Sequence, residues 1–562
     1  MKIFENNFIK LTAIALVVFG LIFGFVSVTQ NWGKTKDVVN TEASFKKLNN
    51  LYSKLNVNKL TPKKDMEFSL DEASSAVLPD LAEYPFVVNP TTDNFLTIYS
   101  SPEKAGVNYE SWLADVANKF NQSGVTADGI PVSVGIRSVS SGLAADFISS
   151  GKYIPDVFAP SNELWGDILI SKGVKVNLIE KRIAGNVAGV VLSKRKNDEL
   201  AKEYGSVDSK VIVDSVSNGK LDIAYTDPYA SSSGLNFLLA TLYTFDSANI
   251  LSDTSVAQFQ KFQQNIAYTA YNTMQMKESV LGGTLDGFLL EYQTFVNSPD
   301  LKSSYVFIPF GVRHDQPIYA IGDLSVLKKQ ITTKFVDYCK TSDSQKMATD
   351  KGFNGMDDYV NSFTKPDGIT ITSAQAIWKQ EKNGANDLTA VFVADVSGSM
   401  EGSPLLKLKA SLNRARDFIG SDVNIGLVTF SDNVNVALPI AKFDINQKAY
   451  FSNAVKSMRA SGGTAMFDSV VVAEKMLMDA QAQNPNTKVM LFVLTDGETN
   501  RGYGFGDIEN LTKGLKIPIY TIGYNANIDE LKKLSNINEA ATMNAENDNV
   551  IYRLESLFNS QM

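Results

Sequence analysis

Five oxygen-bearing residues in the last third of the chain have the types and spacing to hold a hard cation. Asp395-Val396-Ser397-Gly398-Ser399 follows an apolar run, and its alternation lets one carboxylate and two hydroxyls point at a common centre. Ser461-Gly462-Gly463-Thr464 opens a helical pattern, and its glycines permit a tight turn that brings the Thr464 hydroxyl close. A third apolar run, VMLFVLT, leads straight into Asp496. Two carboxylates and three neutral hydroxyls suit octahedral Mg²⁺, or Mn²⁺. With one cysteine, Cys339, and one histidine, His314, the chain cannot form an internal disulfide, a Cys-rich zinc site or a multi-His cluster, so any metal is bound mainly by oxygen.

Such residues must be presented by a scaffold, and the surrounding pattern supplies one. From Leu388 the runs TAVFVADVSGSM, IGLVTFSDNV, KVMLFVLTDGETN and PIYTIGY alternate with helical stretches, including Leu405 to Ile419 and Phe467 to Ala482. Continuous apolar strands between helices predict a parallel sheet covered on both faces. Ligands bind beyond the carboxyl ends of such strands, which is where Asp395 and Asp496 fall. Between Pro85 and about Trp378 another strand and helix alternation predicts an α/β domain in one or two lobes, and Glu381 to Asp387 reads as the linker.

The five residues, with that strand and helix order over 385–562, resemble the von Willebrand factor A domain and its metal-ion-dependent adhesion site, D-x-S-x-S followed by a Thr and an Asp. The resemblance implies a doubly wound, mainly parallel sheet, with the two serines and Thr464 touching the metal and Asp395 and Asp496 acting partly through water. Few anionic ligands leave the cation undercompensated, so it attracts the Asp or Glu of a partner protein at an open position.

Residues 90–380 have serines placed immediately before helices, at SVSSGLAADF and at TDPYASSSG. Exposed amides and hydroxyls at a helix start attract anions. With LLEYQTFV and VFIPFGVRHDQPIYAI, these segments resemble the bacterial periplasmic-type solute-binding proteins, nearest the molybdate and sulfate group. That resemblance implies two lobes with a cleft between them, and a small oxyanion held by Ser101, Ser140, Ser141, Ser231, Ser232 and Tyr292.

Ahead of these domains lies a tail, 1–10, then Leu11 to Val28 without a charge, about the shortest apolar length that spans a bilayer. It is read as an uncleaved transmembrane anchor, followed by a basic stalk over 29–89 in which Phe45, Leu48, Leu51 and Leu55 mark one helical face. The post-span lysines favour a cytoplasmic stalk, whereas the domain types favour a single-pass protein with its bulk outside the cell. Lys plus Arg at 53 against Asp plus Glu at 61, net −8, disfavours nucleic acid as a partner of the whole molecule. Length exceeds what one core supports, so two or three domains are expected. No nucleophile elbow or phosphate loop is present; His314 reads as a surface loop residue and Cys339 as a thiol without a catalytic role, so no enzyme is expected. The function these features imply is a membrane-anchored binding or adhesion protein using Mg²⁺. The alternative is a solute receptor in which the A domain relays to a partner.

Overall fold

In the computed structural model the described residues are 41–63, 78–270, 273, 276, 285–382, 387–420, 422–497, 499–524, 528–538 and 542–544. The apolar run 11–28 lies outside them, and among them no helix is long and apolar enough to cross a membrane.

The carboxy-terminal domain is built on a seven-stranded sheet. Its order is Val57–Lys59, Val434–Lys442, Asn424–Phe430, Leu388–Asp395, Lys488–Thr495, Ile519–Gly523 and Thr542–Asn544. The four strands predicted from apolar runs are its parallel centre, and Val434–Lys442 turns back antiparallel on Asn424–Phe430. Every residue of Leu388–Asp395 is buried, as a strand covered on both faces requires. The predicted helices are present as Ser403–Phe418 and Met466–Gln483.

The expectation of a basic stalk over 29–89 is corrected for 41–60; 29–40 and 64–77 lie outside the described residues, and Phe86–Val88 pairs with Ser133–Ser138. Helix Thr41–Tyr52 packs on Met466–Gln483 and Phe505–Leu515, and Val57–Lys59 adds to the sheet edge parallel to Val434–Lys442. Leu48 is 0% exposed and Leu51 lies beside it in the same core. The Tyr503 hydroxyl donates to Leu51 O at 3.0 Å, and Asn58 Nδ2 donates to Asn435 Oδ1 at 2.9 Å. The apolar spacing was the signal; its partner is a protein core rather than solvent or a membrane surface. In consequence the chain begins this domain, leaves it near Leu60, builds the two-lobed domain and returns.

The two-lobed domain has one sheet per lobe. The first runs Phe86–Val88, Ser133–Ser138, Phe95–Ser100, Val157–Ala159, Ile318–Ile321 and Val176–Glu180; the second runs Ile266–Ala270, Ile223–Thr226, Gly287–Glu291, Ala188–Ser193 and Tyr305–Pro309. The backbone crosses between lobes at 181–187 and again at 310–317, where His314 N–H donates to Asn186 O at 3.0 Å. Helix Gly368–Glu381 then packs across both lobes, on Leu164–Ser171 of the first and on Ser232–Phe245 and Asp253–Gln264 of the second, its Gln375 Nε2 donating to Pro228 O at 2.8 Å. Across the domain boundary the Lys488 ammonium donates to Gln263 O at 2.7 Å.

One buried carboxyl in the carboxy-terminal domain has a measurable consequence. Glu474, in Met466–Gln483, is 0% exposed with no well-formed hydrogen bond to either oxygen, and burial pushes its carboxyl up to about 8. The folded domain therefore holds a proton that the unfolded chain releases near pH ~4.3, so its stabilising effect is complete below that pH and is lost as pH rises towards 8. Glu474→Gln should abolish this part of the pH dependence. Urea unfolding should show wild type losing up to ~1.4 kcal/mol per pH unit across that window relative to the variant; parallel pH profiles would refute the assignment.

Candidate metal centre and inter-lobe cleft

At the carboxyl end of Leu388–Asp395 the chain leaves the sheet, and hydrogen bonds link the site residues. Asp395, fully buried, accepts the Ser397 N–H through Oδ1 at 2.7 Å and the Thr495 hydroxyl through Oδ2. The Ser397 and Ser399 hydroxyl oxygens stand 3.1 Å apart, and Ser399 Oγ donates to Asp496 Oδ1 at 2.8 Å. Four of the five residues expected from sequence thus form one hydrogen-bonded chain. Thr464 lies on the adjoining loop, which is stitched to them by Gly398 N–H to Gly462 O and Ser461 N–H to Val396 O, each 2.9 Å. Its own backbone is held by Asn500 Oδ1, which accepts the Thr464 N–H at 2.9 Å, and by the Thr499 hydroxyl, which donates to Thr464 O at 3.0 Å.

Adjacent oxygens around an octahedral Mg²⁺ with ~2.1 Å bonds are about 3.0 Å apart. The observed 3.1 Å between the Ser397 and Ser399 hydroxyls and 2.8 Å between Ser399 Oγ and Asp496 Oδ1 match edges of that size, and are equally the lengths of ordinary hydrogen bonds. Burial raises both carboxyls above their ordinary range; the Thr495 and Ser397 bonds oppose this at Asp395, where the Asp496 charge adds to it, and the Ser399 bond opposes it at Asp496. Two crowded carboxylates facing hydroxyls are a site that gains from a divalent cation. Asp395 and Ser397 are buried, whereas Ser399 is exposed and Asp496 half-buried, so the assembly opens to solvent on one side. Among the described residues no cluster of three or more His, Cys, Asp or Glu offers a rival site. Thr495, Thr499, Asn500 and Asp432, which accepts the Gly463 N–H at 2.9 Å, position the loops and were not singled out from sequence. Only their place beside D-x-S-x-S and LTDGETN marked them.

A second site lies between the lobes. Helices Ser141–Ser150 and Ser232–Phe245 start against one another, with Gly142 N–H donating to Ala230 O at 3.2 Å. A Cβ on Gly142 would lie 1.9 Å from Tyr229 O, so only glycine permits that approach. Ser101, Ser140, Ser141, Ser231 and Ser232 all line the resulting small cleft, of about 30 Å³, together with Glu103, Ser161, Ser233 and Glu291. Tyr292 does not line it: its ring packs edge-on against Phe307 at 5.3 Å, because the helix that begins at Tyr292 points that side chain away.

His314 is 0% exposed, which corrects its reading as a surface residue. Asn162 Oδ1 accepts the Leu164 N–H and Asn236 Oδ1 accepts the Val312 N–H, so both amide nitrogens face His314 Nε2, at 3.0 and 3.1 Å. Nε2 is therefore the acceptor, and Nδ1 carries the proton it donates to Glu291 Oε1 at 2.8 Å. Ser233 and Asn186 also donate to Glu291. A neutral imidazole locked on both nitrogens braces the crossing between lobes. Cys339 is buried and burial pushes its thiol up, in keeping with a packing role.

Residues 390–559 match the family model of the von Willebrand factor type A domain, and residues 104–354 match that of the bacterial extracellular solute-binding proteins. The chain joins one domain of each kind. The A domain is similar to inter-alpha-trypsin inhibitor heavy chain H3 of Mesocricetus auratus, 28% identical over 178 residues, covering 29% of this chain and 19% of that protein. It is also similar to the voltage-dependent calcium channel subunit alpha-2/delta-2 of Homo sapiens, 26% identical over 114 residues, 20% of this chain and 10% of that one. The chain thus spans only a small part of these relatives' length. Among solved structures, a periplasmic thiamin binding protein covers 52% of this chain and 99% of its own at 11% identity, TM-score 0.39. A von Willebrand factor type A protein from Catenulispora acidiphila covers 31% and 42% at 18% identity, TM-score 0.29. The solute-binding domain and the A domain are both of binding type.

Proposed function

We propose that this is an extracytoplasmic binding protein, anchored by 11–28, whose A domain holds Mg²⁺ and engages an Asp or Glu of a partner protein. The observation that carries the reading is the row of Ser397, Ser399 and Asp496 oxygens, 3.1 and 2.8 Å apart and open to solvent at Ser399, beside Asp395, which holds the Ser397 N–H. With the ion in place Asp395 orients Ser397, Thr495 fixes Asp395, and the exposed side takes the partner's carboxylate. Adherence of cells carrying the protein should need Mg²⁺, vanish in EDTA, and vanish with Asp496→Asn, while protease added to intact cells shows the same amount of protein outside. Undiminished adherence in EDTA would end the reading.

A second reading is favoured by the cleft, in which hydroxyls from both lobes converge as a solute site requires. On it, the solute-binding domain takes a small polar solute and the A domain answers to a partner. Binding is the function in both readings, and neither requires catalysis.

A further inference from the structure

The A domain carries a groove of about 560 Å³ that neither reading above uses. It lies between helix Ile445–Ser457 with Arg459 just after it, strand Val434–Lys442, and the stretch Leu60 to Lys63, which extends the edge strand through Leu60 N–H to Val436 O at 3.0 Å. Part of this surface therefore comes from the amino side of the solute-binding domain. The groove adjoins the metal loops. Val396, which lines it, sits between Asp395 and Ser397, and its carbonyl accepts the Ser461 N–H at 2.9 Å; Arg459 leads directly into the loop that ends at Thr464.

The charge of the groove is one-sided. Lys63 and Arg459 line it, no carboxylate does, and neither cation is ion-paired among the described residues. Lys409 stands close by: its ammonium and Arg459 Nη1 both donate to Lys456 O, at 3.0 and 3.1 Å, and burial together with the Arg459 charge holds that ammonium below its ordinary range. Cations gathered on one carbonyl without a counter-ion favour an incoming anion. The lining is apolar and buried at Val396, Ala437 and Met458, whereas Asn453 and Ser457 present side chains with no hydrogen-bond partner among the described residues. Apolar surface beside unmatched polar groups suits an extended peptide better than a uniformly charged polymer, which has no apolar part to bury.

We infer that this groove receives the residues flanking the metal-bound carboxylate of an acidic, extended segment on the partner protein, with a second carboxylate at Lys63 and Arg459 and an apolar side chain on Val396, Ala437 and Met458. This rests on the reading of the metal centre as a carboxylate receptor and names the kind of partner it takes. Because Leu60 to Lys63 complete the surface, recognition of the flanking residues belongs to the joined chain and not to 385–562 alone.

The test is fluorescence anisotropy of the full-length protein in Mg²⁺ with labelled Gly-Ser peptides that carry one Asp, two Asp around a central Leu at several spacings, or two Lys in their place. At least one two-Asp peptide should bind about fivefold tighter than the one-Asp peptide, the size of one exposed ionic contact, and lose that gain in added salt. Lys63→Ala combined with Arg459→Gln should erase the gain, and so should Ser457→Trp, which puts a ring into the groove. All three positions are exposed, so melting temperatures should match the wild type. Mg²⁺-dependent binding with no advantage for any two-Asp peptide, or an advantage that survives both variants, would overturn the groove and leave the metal reading standing. No Mg²⁺-dependent binding of any peptide would remove both. Displacement by polyphosphate that is indifferent to EDTA would make the surface a polyanion site, and a dimer that Ser457→Trp breaks would make a second copy the occupant; either result overturns the acidic peptide.

Discussion

Asp395→Ala should abolish the Mg²⁺-dependent stabilisation of the A domain. In the wild type the bound ion should raise the domain's stability by about 2.7 kcal/mol at a hundredfold excess over its dissociation constant. The substitution removes the group that holds Ser397 in place and, through Ser397, the start of the Gly398–Met400 turn carrying Ser399. It also leaves the Thr495 hydroxyl without its acceptor, so the ion-free variant should itself be less stable by about 1–3 kcal/mol. The two effects separate in one melting experiment, since the first depends on metal and the second does not. Calorimetry with Mn²⁺ should give one site in the wild type and none in the variant. A variant stabilised by Mg²⁺ as much as the wild type would show that the ion binds elsewhere.

Leu48→Ala should destabilise a domain whose other strands lie more than three hundred residues later in the chain. Leu48 is 0% exposed within the cluster containing Val434, Val470, Leu477 and Leu511, so truncation should cost about 2–5 kcal/mol. Lys475 lies over the Phe45 and Tyr52 rings, at 5.9 and 6.0 Å, which adds to the same packing. A fragment of 385–562 alone should be affected more strongly, because removing 41–60 uncovers the core there and exposes the sheet edge at Val434 and Val436. Supplying the 41–60 peptide should recover part of the lost stability. Identical urea midpoints for the A domain in wild type, Leu48→Ala and the fragment would show the amino-terminal segment to be a passenger.

Much of the architecture was legible because it rests on local pattern. Apolar runs between helical periods determined the central strands of the A domain, and the polar residues ending them determined the metal-site candidates, since a parallel sheet delivers its strand ends to one edge. Serines ahead of helices likewise marked five residues that line the inter-lobe cleft. Tyr292 failed because spacing along a chain does not say which way a side chain points once its helix is docked.

What tertiary structure alone decided are the long-range partnerships. Leu48 and Leu51 announced an apolar helical face, but nothing local could name Val470 or Leu511 as its cover. His314 followed an apolar strand and looked like a loop residue; it became a buried acceptor because the crossing 310–317 runs beside Asn162, Asn236 and Glu291, drawn from both lobes. Lys104 carried no motif, yet its ammonium is fully buried beside the cleft, on Ser101 Oγ and Pro160 O. Local sequence determines the period and polarity of an element, because those depend on neighbours along the chain. Electrostatics and burial depend on neighbours in space, and in this protein those neighbours come from segments as far apart as Leu51 and Tyr503.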